Sequence, residues 1–146
     1  MLSFIIGENK TAYLKVQAYM HSHPDANDYW DGNWIDTVIE ILVGGFRASF
    51  GACLRSEDFV HLYQGLEQLY SSLHSNYKFE TMEEQLTLFI SGDGRGHFEI
   101  KGIAIDKAGD GNELRFILSI DQTFIPDILS EIKEIIEQFP VKGSPN

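Results

Sequence analysis

Oxygen-bearing side chains are concentrated in one stretch of the sequence, residues 25–36. The segment DANDYWDGNWID supplies several possible oxygen donors, among them Asp25, Asn27, Asp28, Asp31 and Asp36. Such groups bind calcium in EF-hand loops, but an EF-hand needs Gly at its sixth position and usually Glu at its twelfth. Counted from Asp25, those positions hold Trp30 and Asp36. We therefore favour a turn-rich loop in which these side chains accept hydrogen bonds from nearby backbone amides.

The histidines give little support for a metal site. His21 and His23 would lie on the same side of an extended segment, which allows two ligands. Zinc takes three or four protein ligands, and the remaining histidines, His61, His74 and His97, fall in separate predicted elements. We expect neither a metal nor a cofactor.

Motifs of nucleophilic catalysis and phosphate binding are not matched either. Cys53 alternates with the apolar residues of a predicted strand and lies in no nucleophile motif, and no serine occupies a Gly-x-Ser-x-Gly elbow. The stretch GDGRG at 92–96 lacks the Lys-Ser/Thr pair of a phosphate-binding loop, so a hairpin turn explains it better. The sequence therefore favours a protein that is not an enzyme.

The charge balance indicates which class of macromolecule the protein can bind. The chain has 146 residues, with 11 Lys+Arg against 22 Asp+Glu and a formal net charge of −11. Proteins that bind nucleic acids cluster basic residues against the phosphates, whereas the basic residues here are scattered. A basic protein partner fits this acidity better than a nucleic acid does.

Length and cysteine content indicate one cytoplasmic domain. The chain is long enough for one hydrophobic core and too short for two ordinary domains. A single cysteine excludes an intrachain disulfide, so a reducing compartment is expected. The apolar run in MLSFIIGENK is too short for a membrane span and has no basic segment before it, unlike a signal peptide. We expect one domain over residues 1–140 and a flexible tail over 141–146.

Hydrophobic periodicity predicts both strands and helices. Apolar patterning and turn signals predict strands at 14–20, 34–43, 46–55, 78–80, 85–91, 97–106 and 113–120. The stretch 21–33 is typical of a loop, because it is rich in Asp, Asn, Pro and Gly. Apolar residues at helical spacing predict one amphipathic helix that begins near Ser56 and a second that begins near Ile125.

The two predicted helices are related by a constant offset. Adding 66 to Phe59, Leu62 and Leu66 gives Ile125, Ile128 and Ile132, and the same offset relates 48–54 to 114–120. This match suggests a duplicated strands-then-helix unit, although any strand followed by an amphipathic helix gives some such match. The predicted fold is α+β, with one antiparallel sheet of about seven or eight strands and both helices on one face.

Two surfaces are candidates for binding. The sheet face turned away from the helices should carry a mixed aromatic and polar set: Tyr13, Lys15, Gln17, Tyr19, Arg47, Ser49, Thr87, Phe89, Glu99, Lys101 and Arg115. Such a set is typical of a protein interface and equally of an ordinary solvated sheet. Glutamates on the helices form a second surface, which either attracts a basic partner or is simply solvated.

Several of these features resemble one known family. The sequence DYWDGNWIDTVIEI with its Asn33-Trp34, the capped helix FVHLYQGLEQLYSSL and the closing strand-helix unit that ends at Phe139-Pro140 are similar to the WapI-type immunity proteins of bacterial contact-dependent competition systems. The resemblance spans roughly residue 10 to Pro140. It implies a cytoplasmic antidote that binds the toxic domain of a secreted effector, typically an RNase, and blocks it without catalysis.

The residues of such a contact are inferred from their chemistry. Tyr29, Trp30, Asp31 and Trp34 form the most concentrated aromatic and acidic cluster in the chain, and interface hot spots favour such residues. The competing interpretation is that the aromatic residues cover an edge of the core, with Trp34 buried at the start of a strand. Other functional classes also stay open, namely a self-associating module, with a homodimer possible, and a small-ligand-binding domain.

Overall fold

The computed structural model describes residues 2–146, apart from the side chain of Asn9. Its eight strands are β1 (Leu2–Asn9), β2 (Ala12–His21), β3 (Trp34–Val43), β4 (Phe46–Arg55), β5 (Asn76–Glu80), β6 (Leu86–Gly92), β7 (His97–Ile105) and β8 (Glu113–Asp121). Its helices are the short α1 (Tyr29–Gly32), α2 (Ser56–Ser71) and α3 (Ile125–Gln138), and a 3₁₀ turn at Gln122–Phe124 precedes α3. None of the helices in the described part of the chain is both long and apolar enough to cross a bilayer.

The strands form two antiparallel sheets of four, and the expectation of one sheet of seven or eight strands is wrong. Sheet A has the order β1-β2-β3-β4, and sheet B has the order β5-β6-β7-β8. Alternation in a sequence shows which residues of a strand are buried, but it does not show which strands are hydrogen-bonded neighbours. Helix α2 follows β4 directly and carries the chain away from that edge, so β5 begins a new sheet instead of extending the first.

Both sheets and both long helices share one hydrophobic core. Each strand of sheet A turns alternate residues inward, such as Ile35, Ile39 and Ile41 of β3. The helices contribute residues at helical spacing, among them Leu66 of α2 and Ile132 of α3. All of these residues belong to a single buried cluster, so the two sheets bury their apolar faces in the same core. That residues 1–140 form one domain stays a prediction.

Each long helix packs against the first strand of the other four-strand unit. Helix α2 contacts β5, helix α3 contacts β1, and the two helices contact each other. At the first contact, the Tyr77 hydroxyl donates a hydrogen bond to the His61 carbonyl oxygen over 2.8 Å. At the second, the Ile5 amide donates to Glu131 Oε1 over 3.1 Å. The architecture is thus two similar units with exchanged helices, while their common ancestry stays a prediction.

Two elements were not expected from the sequence. Strand β1 pairs with β2 and buries Phe4 and Ile6, although no strand is predicted over this apolar run from the sequence. The predicted loop over 21–33 contains the helix α1, whose N-terminus is capped by the Asp28 carboxylate, which accepts a hydrogen bond from the Asp31 amide. A single helical turn is too short to produce a periodic hydrophobic signal.

Candidate protein-binding site around Trp30

The four predicted site residues lie around the start of β3. Tyr29, Trp30 and Asp31 belong to α1, and Trp34 is the first residue of β3. Opposite Trp34 in the antiparallel register stands Arg55, the last residue of β4. The short helix and the ends of two strands therefore bring the three aromatic rings to one place.

Arg55 holds this cluster together. Its guanidinium carbon lies 4.9 Å from the ring centre of Trp34, 5.0 Å from that of Tyr29 and 5.8 Å from that of Trp30. A cation near aromatic faces at such distances is attracted by the ring quadrupole. Arg55 itself is only 1% exposed, so the attraction acts away from water, where it is stronger.

Each nitrogen of the Arg55 guanidinium donates a hydrogen bond within the protein. Nη1 donates to the Trp30 carbonyl oxygen over 2.9 Å, and Nη2 donates to that of Tyr29 over 2.6 Å. Nε donates to the two carboxylate oxygens of Glu57 over 3.0 and 3.2 Å. The Glu57 carboxylate therefore neutralises the buried cation, and the same carboxylate, together with burial, raises the pKa of Tyr29.

A second set of hydrogen bonds ties the helix α1 to the chain beyond residue 140. The buried Asn33 side chain donates to the Tyr29 and Lys142 carbonyl oxygens over 2.9 and 3.0 Å, and its Oδ1 accepts from the Lys142 amide over 2.8 Å. Lys142 Nζ donates to the Ala26 carbonyl oxygen over 3.1 Å. That residues 141–146 are flexible stays a prediction, and within this segment Lys142 has these defined contacts.

Trp30 and several carboxylates face the solvent on this fixed loop. Trp30 is 57% exposed, and Asp25, Asp28 and Asp31 are exposed beside it in the sequence. Tyr29 and Trp34 are half-buried, so Trp34 is neither fully buried nor fully exposed. The arrangement presents one large apolar side chain among negative charges on a backbone that is already ordered. Such a surface suits an aromatic anchor with an acidic surround.

The predicted outer sheet face is divided between the two sheets. Tyr13, Lys15, Gln17, Arg47 and Ser49 lie on sheet A, whereas Phe89, Glu99, Lys101 and Arg115 lie on sheet B. Tyr19 is exposed next to an irregularity in the pairing of β2 with β3. Thr87 is 7% exposed and belongs with the buried residues, which is a further correction.

The cysteine lies in an acidic cleft. Cys53 lines a cleft of about 420 Å³ together with Asp36, Glu83 and Asp106. Burial raises the pKa of the Cys53 thiol, and the charges of Asp36 and Glu83 raise it further, against a lowering by the Ser22 hydroxyl. A thiol held protonated is a poor nucleophile.

The two histidines weighed as possible metal ligands lie in different surroundings. His21 packs edge-on against the ring of Phe139 with 5.0 Å between ring centres, while His23 is exposed. Within residues 2–146, no three His, Cys, Asp or Glu side chains are grouped so that they could hold a metal ion.

One family model matches this chain. It is described as the Immunity protein WapI-like family, and the match covers residues 3–140. The chain belongs to the WapI-like immunity protein family. The match includes α1, β3 and Arg55, so the loop around Trp30 lies inside the WapI-like region of the chain.

Other comparisons add little to this family assignment. No curated protein matches the WapI-like chain significantly. A solved structure titled "The Siderocalin Ex-FABP functions through dual ligand specificities" is similar at 7% identity, covering 94% of this chain and 77% of the other, with a TM-score of 0.27. A likeness at that level carries no argument about the WapI-like protein.

Arg55 is the important residue of the site that the sequence interpretation missed. The tract CLRSED contains a signal for it, since a lone cation directly after an apolar strand, in a chain with an acidic excess, needs a local carboxylate. Its aromatic neighbours could not be predicted, because they depend on the register that places Arg55 opposite Trp34 in this WapI-like fold.

Proposed function

We propose that this protein is a cytoplasmic immunity protein that binds the toxic domain of a secreted bacterial effector and neutralises it without catalysis. The observation that carries the proposal is the family match over residues 3–140. We further propose that the toxin is an RNase with a basic active-site cleft, and that Tyr29, Trp30, Asp31 and Trp34 form the contact.

Charge supports a basic partner. An enzyme that cleaves RNA needs positive charge to hold the phosphates, and an acidic protein competes with RNA for the same charge. The net charge of −11 also steers such a partner towards the protein and speeds association. The neutralising effect then follows from occupation of the cleft, and no chemical step is needed.

The geometry of the loop supports Trp30 as an anchor. The Trp30 side chain is 57% exposed in the free protein. A partner that covers it removes this apolar surface from water, which favours binding. The Arg55 and Asn33 hydrogen bonds already fix the backbone beneath it, so binding orders few additional groups. Preorganisation of this kind lowers the entropic cost of association.

Co-expression with the toxin domain encoded by a neighbouring gene tests the proposal. We expect the protein to rescue growth and to form a complex that survives gel filtration. Trp30→Ala should weaken binding by about 2 kcal/mol or more, as measured by calorimetry, because it removes the central apolar contact.

Phe46→Ala is the matched control, since Phe46 is also a largely exposed aromatic residue, at 67%, in the β3–β4 hairpin. It should leave binding unchanged. Absence of both rescue and complex would refute the immunity function for that pair, and equal loss in both variants would remove Trp30 as the contact while leaving the immunity function in place.

A further inference from the structure

An apolar patch with balanced charges lies on the outer face of sheet B. We name it the Ile117 patch, and it consists of Phe89, Ile103 and Ile117 with the ion pairs Lys78–Glu80, Lys101–Glu99 and Arg115–Glu113. Ile117 is 61% exposed and Phe89 is 41% exposed. The two stand on either side of Lys101 in one row across the strands, since Phe89 pairs with Lys101 and Lys101 pairs with Ile117.

The side chains of the patch form a shallow groove rather than a flat surface. A concavity of about 440 Å³ is lined by Phe89, Lys101, Ile103, Arg115 and Ile117. The Lys78 ammonium lies 5.5 Å from the ring centre of Phe89, which orients the aromatic side chain at the margin. A convex apolar side chain of a partner, such as a second Ile117, fits a groove of this kind.

Charge decides which partner fits. The patch contains three cations and three carboxylates, so its formal charge is zero, whereas the whole chain carries −11. A basic toxin is drawn to the acidic remainder of the surface and gains nothing electrostatically from a neutral face. Two copies of this chain repel each other through their acidic surfaces, and a neutral face is where they can meet without that cost.

We propose that the Ile117 patch is the interface of a symmetric homodimer, formed by the outer faces of two B sheets. In a two-fold arrangement the same residues meet on both sides. The apolar residues of the two patches contact each other. The lysine and arginine side chains of one copy then lie near glutamates of the other copy as well as near the glutamates of their own ion pairs. The proposal is separate from the toxin-binding function and concerns a different surface.

The size of the patch sets the expected strength. A four-stranded face is only about 15–20 Å wide at a strand spacing of about 4.8 Å, which is small for a stable interface. We therefore expect a reversible dimer that forms in the micromolar range and is absent from dilute samples.

Sedimentation velocity over a range of concentrations tests the dimer. The mass should rise from 16.6 kDa for one chain towards twice that value. Ile117→Glu should keep the protein monomeric at every concentration, because it places a carboxylate in the apolar part of the interface of each copy and adds negative charge to a neutral face. Phe89→Ser is a second variant with the same expected direction.

Met82→Glu is the matched control. Met82 is an exposed apolar residue, at 57%, in the turn between β5 and β6, so the substitution adds the same charge outside the patch. It should dimerise like the wild type. Circular dichroism must show that all variants are folded, and a folded Phe89→Ser protein decides the question if Ile117→Glu is unfolded.

Three results would overturn the proposal: a wild-type chain that stays monomeric at high concentration, an Ile117→Glu variant that dimerises normally, or equal dissociation of the Ile117→Glu and Met82→Glu variants. Toxin capture separates the two proposals. A monomeric Ile117→Glu protein that still binds the toxin supports a dedicated dimer face. One that has lost toxin binding shows that the patch, or the dimer it forms, also serves toxin binding, and its monomeric state still supports the dimer.

Discussion

The Ile5 amide donates a hydrogen bond to the Glu131 carboxylate 3.1 Å away, although the two residues are 126 positions apart in the chain. Ile5 lies in β1, an edge strand of sheet A, and Glu131 lies on α3, the helix that ends the second unit. The bond satisfies an edge amide and fastens the last helix of the chain to its first strand.

Replacement of Glu131 should loosen this attachment. Glu131→Ala removes the acceptor of the Ile5 amide, and we expect a loss of about 1 kcal/mol in the free energy of unfolding. Glu131→Gln keeps an acceptor oxygen and should cost less. Urea denaturation measures both, with the exposed Glu134→Ala on the same helix as a control. Equal losses for Glu131→Ala and Glu134→Ala would show that the bond adds no stability.

Replacement of Arg55 should have a larger effect. Arg55→Met leaves the Glu57 carboxylate and the Tyr29 and Trp30 carbonyl oxygens without their donor. We expect a destabilisation of about 3–5 kcal/mol, because a charge in a partly buried position loses its partner. Thermal unfolding followed by tryptophan fluorescence measures this and also detects any change around Trp30 and Trp34. Arg47→Met serves as the control, since the side chain of Arg47 is 71% exposed.

Asp58 should make stability depend on pH. Burial raises its pKa from 3.8 to about 6, against hydrogen bonds from the Arg55 and Met82 amides that lower it. The folded state therefore binds more protons than the unfolded state between these pH values, and the contribution of Asp58 to stability falls as the pH rises from 4 to 6.

The variant Asp58→Asn tests this directly. Its stability relative to the wild type should rise by about 2–3 kcal/mol between pH 4 and pH 6, since two pKa units correspond to about that energy. Chemical denaturation at a series of pH values gives the difference between the two curves. The exposed Asp127→Asn in the first turn of α3 should leave the slope unchanged. A constant difference between Asp58→Asn and the wild type would contradict the prediction.

Gly65 should not tolerate a side chain, although it lies within a helix. The Tyr77 ring of β5 occupies the space that a Cβ on Gly65 would need. Alanine favours a helix over glycine by about 1 kcal/mol, but the clash at this helix-to-strand contact costs more, and Gly65→Ala should destabilise the protein by about 1–2 kcal/mol net. Gly45→Ala has open space around it and should change stability by less than about 0.5 kcal/mol. Urea midpoints for the two variants check this, and a stabilised Gly65→Ala would disprove the close packing.

The sequence was sufficient for most of the elements and for the buried faces of the strands and helices. The strand alternation around Ile39 and the helical spacing around Leu66 each depend on neighbours within a few residues, so a local pattern reveals them. The division into two sheets depends on which strands pair across long separations, and no local pattern contains that information. For the same reason the sequence did not reveal β1, whose burial is produced by β2 and by α3.

The candidate site shows the same limit. The concentration of aromatic and acidic residues in Tyr29–Trp34 is visible in the sequence, whereas the buried cation beneath them is not. Arg55 is 26 positions from Tyr29 in the chain and reaches it only because β3 and β4 are paired. The half-buried state of Trp34 follows from that pairing. The sequence alone left two interpretations of Trp34 open, an exposed interface residue and a buried core residue.

The hydrogen bonds between Asn33 and Lys142 determine when, during synthesis, the loop around Trp30 can reach its final structure. Trp30 is translated well before Lys142, so the loop that carries it lacks these bonds until Lys142 has been made. The first unit also leaves the ribosome before α3 is available to cover β1. An interrupted or clipped chain that lacks Lys142 therefore carries Trp30 on a loop that has the Arg55 bonds but not those between Asn33 and Lys142. The fully supported surface proposed to meet the toxin is thus a property of chains that contain Lys142.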